Sequence, residues 1–131
     1  MITSILPVRG NDAHGSGAWG ASRGSRTHKG IDFAAFPLTR ICSPIDGECT
    51  KLGYPYGDDL SFQYVEVTDE RGRQHRFFYL EPLVKVGDTI KTGQPLGTVQ
   101  DLERRYHGIT PHCHYEIKRN GEYLNPAFES I

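Results

Sequence analysis

Apolar residues in this chain alternate with polar ones more often than they recur at helical spacing. In "YVEVTD" (64–69) Val65 and Val67 fall on one face of a strand, with Tyr64, Glu66 and Thr68 on the other. "TRICSPIDGECTKL" (39–52) predicts strand, turn and strand. "VEVTDERGRQHRFFYL" predicts the same around Arg71–Gly72. "GDTIKTGQPLGTV" (87–99) predicts two short strands about a glycine-containing turn, and "HCHYEIKRNGEYLNP" a hairpin closed by Asn120–Gly121. Only "QDLERRY" (100–106) has a helical pattern, of barely two turns. The expected fold is therefore mainly β: a compact antiparallel β-sheet core, of sandwich or open-barrel type, with long loops and little helix.

Composition narrows this picture. At 131 residues the chain is expected to be one domain, residues 1–131. With 15 basic and 16 acidic residues it lacks the basic excess of a nucleic-acid binder. The three cysteines are expected to be reduced, although Cys42 and Cys49 flank "SPIDGE" and would face each other if that turn closed a hairpin. "MITSILPVRGND" has neither the basic lead nor the apolar stretch of a signal peptide, and no run is long enough to insert in a membrane. The expectation is synthesis in the cytoplasm, with delivery by other means if the target lies beyond the membrane.

Two distant segments carry candidate chemistry. "THKGIDF" (27–33) sets His28 and Asp32 four apart, with Lys29–Gly30 as a turn that lets both face one point. "PHCHYEI" (111–117) sets His112 and His114 on one strand face with Glu116 and Lys118. Cys113, Tyr115 and Ile117 take the opposite, core-facing side, so Cys113 cannot join the two histidines. A catalytic zinc takes three protein ligands and leaves one position for water, and imidazole and carboxylate both suit it. His28, Asp32 and one of the pair His112/His114 would complete such a site. The other histidine would then be placed to take a proton from water that the metal has made acidic.

Taken in order, "THKGIDF", "VKVGDTIKTGQPLGTV" and "HCHYEI" followed by "NGEYLNP" resemble the lysostaphin-type zinc endopeptidases of peptidase family M23. "GAWGASRGSRTHKGIDF" resembles the lead into that family's first zinc motif, and the likeness runs from Leu6 to Pro126. The resemblance implies a lysostaphin/LytM-like fold with loops walling a groove. It implies one Zn2+ held by His28, Asp32 and His114, with His112 as general base. It also implies hydrolysis of peptide bonds in bacterial peptidoglycan. A member of this kind without a secretion signal resembles bacteriophage lytic enzymes, released at lysis or carried on a virion, with virion or tail proteins as candidate partners.

One position departs from the family pattern. Where the family has a second catalytic histidine, "FFYL" places Tyr79. His75 shares strand parity with Phe77 and Tyr79 but sits about 13 Å away along the strand, too far to substitute. A phenol is a competent hydrogen-bond donor at neutral pH and a poor base. Tyr79 is therefore expected to keep the donor role and leave base duty to His112. The same departure motivates an alternative, a catalytically weak or inactive binding or assembly domain. A lipoyl- or biotin-carrier reading of "EPLVKVGDTIKTGQPLGTV" lacks the lysine-bearing hairpin such carriers modify. His14 and His107 are expected in solvated loops. Tyr54, Tyr56 and Asp58–Asp59 are candidates for a groove wall, and Arg104–Arg105 are expected on a solvated helix face.

Overall fold

The structure is a computed structural model and describes residues 22–23, 26–27 and 30–126. Its strands are β1 (Ser22–Arg23), β2 (Arg26–Thr27), β3 (Ile31–Ala34), β4 (Arg40–Cys42), β5 (Gly47–Gly53) and β6 (Tyr64–Thr68). There follow β7 (Gln74–Phe78), β8 (Leu80–Pro82), β9 (Thr89–Ile90), β10 (Pro95–Val99), β11 (His112–Arg119) and β12 (Glu122–Leu124). The largest sheet runs β12-β11-β7-β6-β5-β9, with β3 also paired to β11, and a second sheet runs β4-β10-β8. Pairings are antiparallel throughout. The mainly β architecture expected from alternation is the one observed.

Buried side chains from both sheets meet in one core. Val65, Val67, Phe77, Tyr115 and Ile117 come from the larger sheet, and Ile41, Leu80, Leu96 and Val99 from the smaller. Cys113 joins them, as its strand parity requires. The other face of β6 is buried too, because Glu66 accepts hydrogen bonds from Thr50 and Arg76 while Lys51 and Arg76 lie over the Tyr64 ring. Alternation set which residues share a face, and cross-strand pairing then closed over the polar side.

Two hairpins form where turn chemistry marks them. β6 and β7 pair around Gly72 (φ 76°), and β11 and β12 pair around Asn120 (φ 52°) and Gly121 (φ 81°), all in the left-handed region that such turns require. Two other expected local pairs do not form. β4 pairs with β10 and β5 with β6 and β9, so residues 39–52 bridge the two sheets. The reason lies at Ser43–Ile45, where Ser43 Oγ bonds the Ile45 backbone and both Ile41 and Ile45 are buried in the shared core. β9 and β10 likewise lie in different sheets. Cys42 and Cys49 are therefore not hairpin partners, and Cys42, Cys49 and Cys113 are all free. The expected helix shortens to a single 3-10 turn, Leu102–Arg104, capped by Asp101. Among the described residues no helix is long and apolar enough to cross a membrane.

The β6–β7 turn is tied to β11 by a buried polar chain. Asp69 Oδ1 accepts from the Arg71 and Arg73 backbone, and Oδ2 from Arg73 Nε (2.7 Å) and His75 Nε2 (2.9 Å). With Nε2–H so engaged, His75 Nδ1 accepts from the Tyr115 hydroxyl at 2.6 Å. Burial pushes the Asp69 carboxyl up, but the bonds from His75 and Arg73 outweigh it and hold the value at about 2. A depressed carboxylate contributes stability above its unfolded value and loses it as pH falls toward the folded one. Chemical denaturation is expected to show about 2 kcal/mol lost between pH 5 and 2 that Asp69→Asn, already weaker at pH 7, does not lose.

Candidate active site

The β3–β11 register sets His114 directly opposite Asp32 and His112 opposite Ala34. Side chains opposite each other on one sheet face lie within reach, so pairing alone joins residues 82 apart in sequence. Gly30, at the entrance to β3, is required by space. A Cβ there would meet the Tyr115 carbonyl and would come within 2.8 and 2.9 Å of His114 Cε1 and Nε2. Its lack of a side chain lets the backbone lie against the imidazole.

Asp32 is 2% exposed and stands between the two histidines. Its Oδ1 is 2.8 Å from His114 Nδ1 and its Oδ2 is 3.4 Å from His112 Nε2. On the far side of its ring, His114 Nε2 is 2.9 Å from Glu116 Oε1. Glu116 in turn faces Arg76 Nη1 at 3.6 Å, and Arg76 Nε is bonded to Glu66 at 2.8 Å. A ladder of alternating charge thus crosses from β3 to β6 and fixes the His114 ring. His112 is fixed differently. Its Nδ1 lies 2.8 Å from the Thr110 carbonyl, which can only accept, so Nδ1 carries a hydrogen and, in the neutral ring, Nε2 would hold the lone pair.

Whether these groups suit a metal can be tested on their own chemistry. Glu116 takes the Nε2–H of His114, which leaves the Nδ1 lone pair aimed at a carboxylate oxygen. Two acceptors 2.8 Å apart call for a cation shared between them. In the metal-free chain a proton serves: burial pushes the His114 imidazolium down, but hydrogen bonds with Asp32 and Glu116 outweigh it and bring the value up to about 9. A divalent metal fits the same donor pair, with Glu116 as the outer partner that metal-binding histidines use. Among the described residues no group of three or more His, Cys, Asp or Glu is arranged to hold a metal. Asp32 and His114 provide two of the three predicted ligands, and the third, His28, lies outside the described residues, as does His14.

Tyr79 does not keep the strand parity expected of it. Its φ is +69°, and the Tyr79 and Leu80 amides both donate to the Gln63 carbonyl. This kink swings the ring away from the Phe77 and His75 side and sets it edge-on to His112, with centroids 5.4 Å apart. His75 stays buried in the Asp69–Tyr115 chain, remote from Asp32 in its bonding. Beside Tyr79 is a second small core of Phe62, Leu102 and Ile109, with Tyr56 and Tyr106 packed on it. The solvated face expected for Arg104–Arg105 holds for Arg104, which is exposed, while Arg105 is half-buried. Arg104 lies over Phe62 at 4.7 Å and Arg105 over Tyr56 at 3.8 Å, while Arg105 pairs with Asp58. The aromatic residues of loop 54–63 offer the guanidinium groups ring faces that helical spacing alone does not reveal. Tyr54 and His107 are exposed.

Sequence reasoning had placed Glu116 on the right face and gave it no task. Its spacing of two from His114 on a strand was the available signal. Thr110 and Arg76 carried none, since a carbonyl partner and a cross-strand neighbour depend on register.

The description "Peptidase family M23" matches residues 26–126. An uncharacterized metalloprotease of Haemophilus influenzae is 34% identical over 77% of this chain, which spans 20% of that protein. The peptidoglycan DD-endopeptidase ShyC of Vibrio cholerae is 32% identical over 77% of this chain and 22% of its own length. Leukocyte cell-derived chemotaxin-2 of Bos taurus is 29% identical over 83% of this chain and 72% of its own length. The chain thus spans about a fifth of the two bacterial relatives. Among solved structures, a mutant form of the catalytic domain of the prophage-encoded M23 protein EnpA from Enterococcus faecalis superposes with a TM-score of 0.68. It is 22% identical and covers 98% of this chain and 99% of its own. Lysostaphin superposes with a TM-score of 0.64 at 23% identity over 86% of this chain and 44% of its own.

The His114 value sets a pH signature. Because it lies above the ordinary imidazole value, the proton stabilises the metal-free fold below about pH 6.5, and that contribution is lost as pH rises through about 9. A metal that displaces one such proton is expected to bind about tenfold more tightly per pH unit between 7 and 9, measured by competition with a chromophoric chelator. An affinity that stays flat over that range would contradict the shared-cation geometry.

Proposed function

The chain belongs to peptidase family M23, and on that premise we propose that it is a zinc-dependent endopeptidase that hydrolyses peptide cross-links or stem-peptide bonds of bacterial peptidoglycan. The observation that carries the reading is the position of Asp32. One of its oxygens faces His114 Nδ1 at 2.8 Å and the other lies 3.4 Å from the basic nitrogen of His112. A cation-binding pair and a proton acceptor are thereby side by side. The relative ShyC, named as a peptidoglycan DD-endopeptidase, supports the substrate class.

In this proposal His28, Asp32 and His114 hold one zinc ion. When bound, such an ion supplies Lewis acidity and lowers the pKa of a water ligand to about 7. His112 Nε2 accepts the proton of the attacking water, and Asp32 Oδ2 stabilises the resulting imidazolium. The Thr110 carbonyl keeps the ring in the tautomer that can do this. His112 then returns the proton to the departing amine. Tyr79, whose ring abuts His112, donates a hydrogen bond to the carbonyl oxygen as charge develops there. The proposal extends to setting: a bacteriophage enzyme acting at the wall, released at lysis or carried on a virion tail.

The second reading, a binding domain without turnover, rests on Tyr79 standing where a histidine would otherwise serve. Against it, the fixed tautomer of His112 is a feature that binding alone does not require.

Digestion of purified sacculi, followed by mass spectrometry of the released peptides, tests the proposal. Cleavage is expected to stop on thorough chelation and to return with added zinc; cleavage that survives chelation would contradict it. Tyr79→Phe is expected to lower kcat by about 10²–10³-fold with KM little changed. Turnover equal to the parent would remove the phenol from catalysis.

A further inference from the structure

Tyr79 has a backbone conformation that a tyrosine resists, and the groups that hold it there form a closed hydrogen-bonded circuit. At φ +69° a residue with a Cβ is strained, and it persists only where its surroundings over-determine it. The backbone on both sides of the Tyr79 ring is committed. Its N–H and that of Leu80 donate to the Gln63 carbonyl at 2.8 and 3.1 Å, and its own carbonyl accepts from the Gln100 N–H at 2.8 Å. That last bond carries the β8–β10 ladder one residue past the pair of Leu80 with Val99.

The circuit closes through the Gln100 side chain. Its Oε1 accepts from the Gln63 N–H at 3.0 Å, and its Nε2 donates to the Ser61 carbonyl at 2.6 Å. The carboxamide thus offers residues 61 and 63 an acceptor and a donor, as the backbone of a neighbouring strand would. Between them Phe62 turns into the small core with Leu102 and Ile109, on which Tyr79 packs. Gln100 is only 9% exposed, so removing either bond leaves a shielded polar group without its partner. Few side chains could replace it. Glutamate would set an oxygen against the Ser61 carbonyl, asparagine is one methylene short, and methionine offers neither bond.

We propose that Gln100 is a positioning residue for catalysis: it clamps residues 61–63 with its side chain and the Tyr79 carbonyl with its backbone, and so locks the left-handed kink that sets the Tyr79 ring edge-on to His112. This deepens the peptidase reading above and rests on it. Gln100 acts on the reaction only through where Tyr79 stands. Without the amide, the strain at Tyr79 is relieved by a return toward extended backbone, and the ring leaves His112.

The test compares the parent with Gln100→Met, Tyr79→Ala and the double variant Q100M/Y79A on a soluble peptidoglycan fragment, with NMR spectra of the same proteins. Gln100→Met keeps the length of the side chain and removes both of its hydrogen bonds. It is expected to lower kcat about ten- to hundredfold with KM little changed, and to have no further effect on kcat in the Tyr79→Ala background. Nuclear Overhauser cross-peaks between the Tyr79 and His112 rings are expected to vanish in Gln100→Met, while those between the stacked core rings of Phe77 and Tyr115 persist. A merely structural role predicts parental kcat, intact Tyr79–His112 cross-peaks and only a lower Tm, and that result overturns the proposal. Effects of Q100M and Y79A that multiply overturn it too. If Gln100→Met does not fold, Gln100→Asn takes its place with the same expectations. In the parent itself the Gln100 side-chain amide hydrogens are expected to exchange slowly with solvent, and rapid exchange refutes the clamp. A parent without any turnover refutes the peptidase reading instead. The cross-peaks then decide on the clamp alone, and their survival in Gln100→Met refutes it.

Discussion

The carboxylate of Asp32 is the point on which the rest of the site depends. It is almost wholly buried, and its two oxygens are directed at different histidines that sit on the same face of one strand. A buried anion is costly unless cations or donors surround it. Here the offset comes from positive charge on the His114 side, a proton in the metal-free chain; in the proposed enzyme a divalent ion would take that place. In the proposed mechanism the same carboxylate would stabilise His112 as it becomes charged, so that one side chain would link metal binding to proton transfer.

That arrangement demands rigidity from the sheet. Asp32 reaches His114 only because β3 pairs with β11 in one register; a slip by one residue would turn His112 and His114 into the core and Cys113 into the cleft. Several features secure the register. Gly30 allows the chain to pass against the His114 ring, Tyr115 is tied through His75 to the Asp69 turn, and Glu116 is tied through Arg76 to Glu66. The two polar chains run on opposite faces of β11, one within the core and one outside it. Each leaves its neighbours on the strand little freedom to rotate.

How far the sequence revealed this can be judged residue by residue. The shared face of His112, His114 and Glu116 and the core side of Cys113, Tyr115 and Ile117 were legible, because strand periodicity is a property of the backbone alone. The hairpins at Gly72 and Asn120–Gly121 were legible for the same kind of local reason. Long-range choices were not. Residues 39–52 have the pattern of a hairpin, yet burial of Ile41 and Ile45 in a core shared by two sheets sends the strands apart. Tyr79 was assigned to the face of Phe77 because nothing in its neighbours marks a left-handed residue, and its kink comes from the Gln63 carbonyl beyond the strand. Arg104 stays exposed as its local pattern implies; what that pattern could not reveal is that Phe62 and Tyr56, far earlier in the chain, offer ring faces over which Arg104 and Arg105 lie.

The most direct test of the shared cation is anomalous diffraction from crystals grown with zinc, recorded at the zinc absorption edge. The account predicts one strong peak within bonding distance of both Asp32 Oδ1 and His114 Nδ1, with His28 as the third protein ligand and Glu116 still on Nε2. A peak located elsewhere, or Asp32 and His114 remaining in direct contact with no metal between them at saturating zinc, would contradict it.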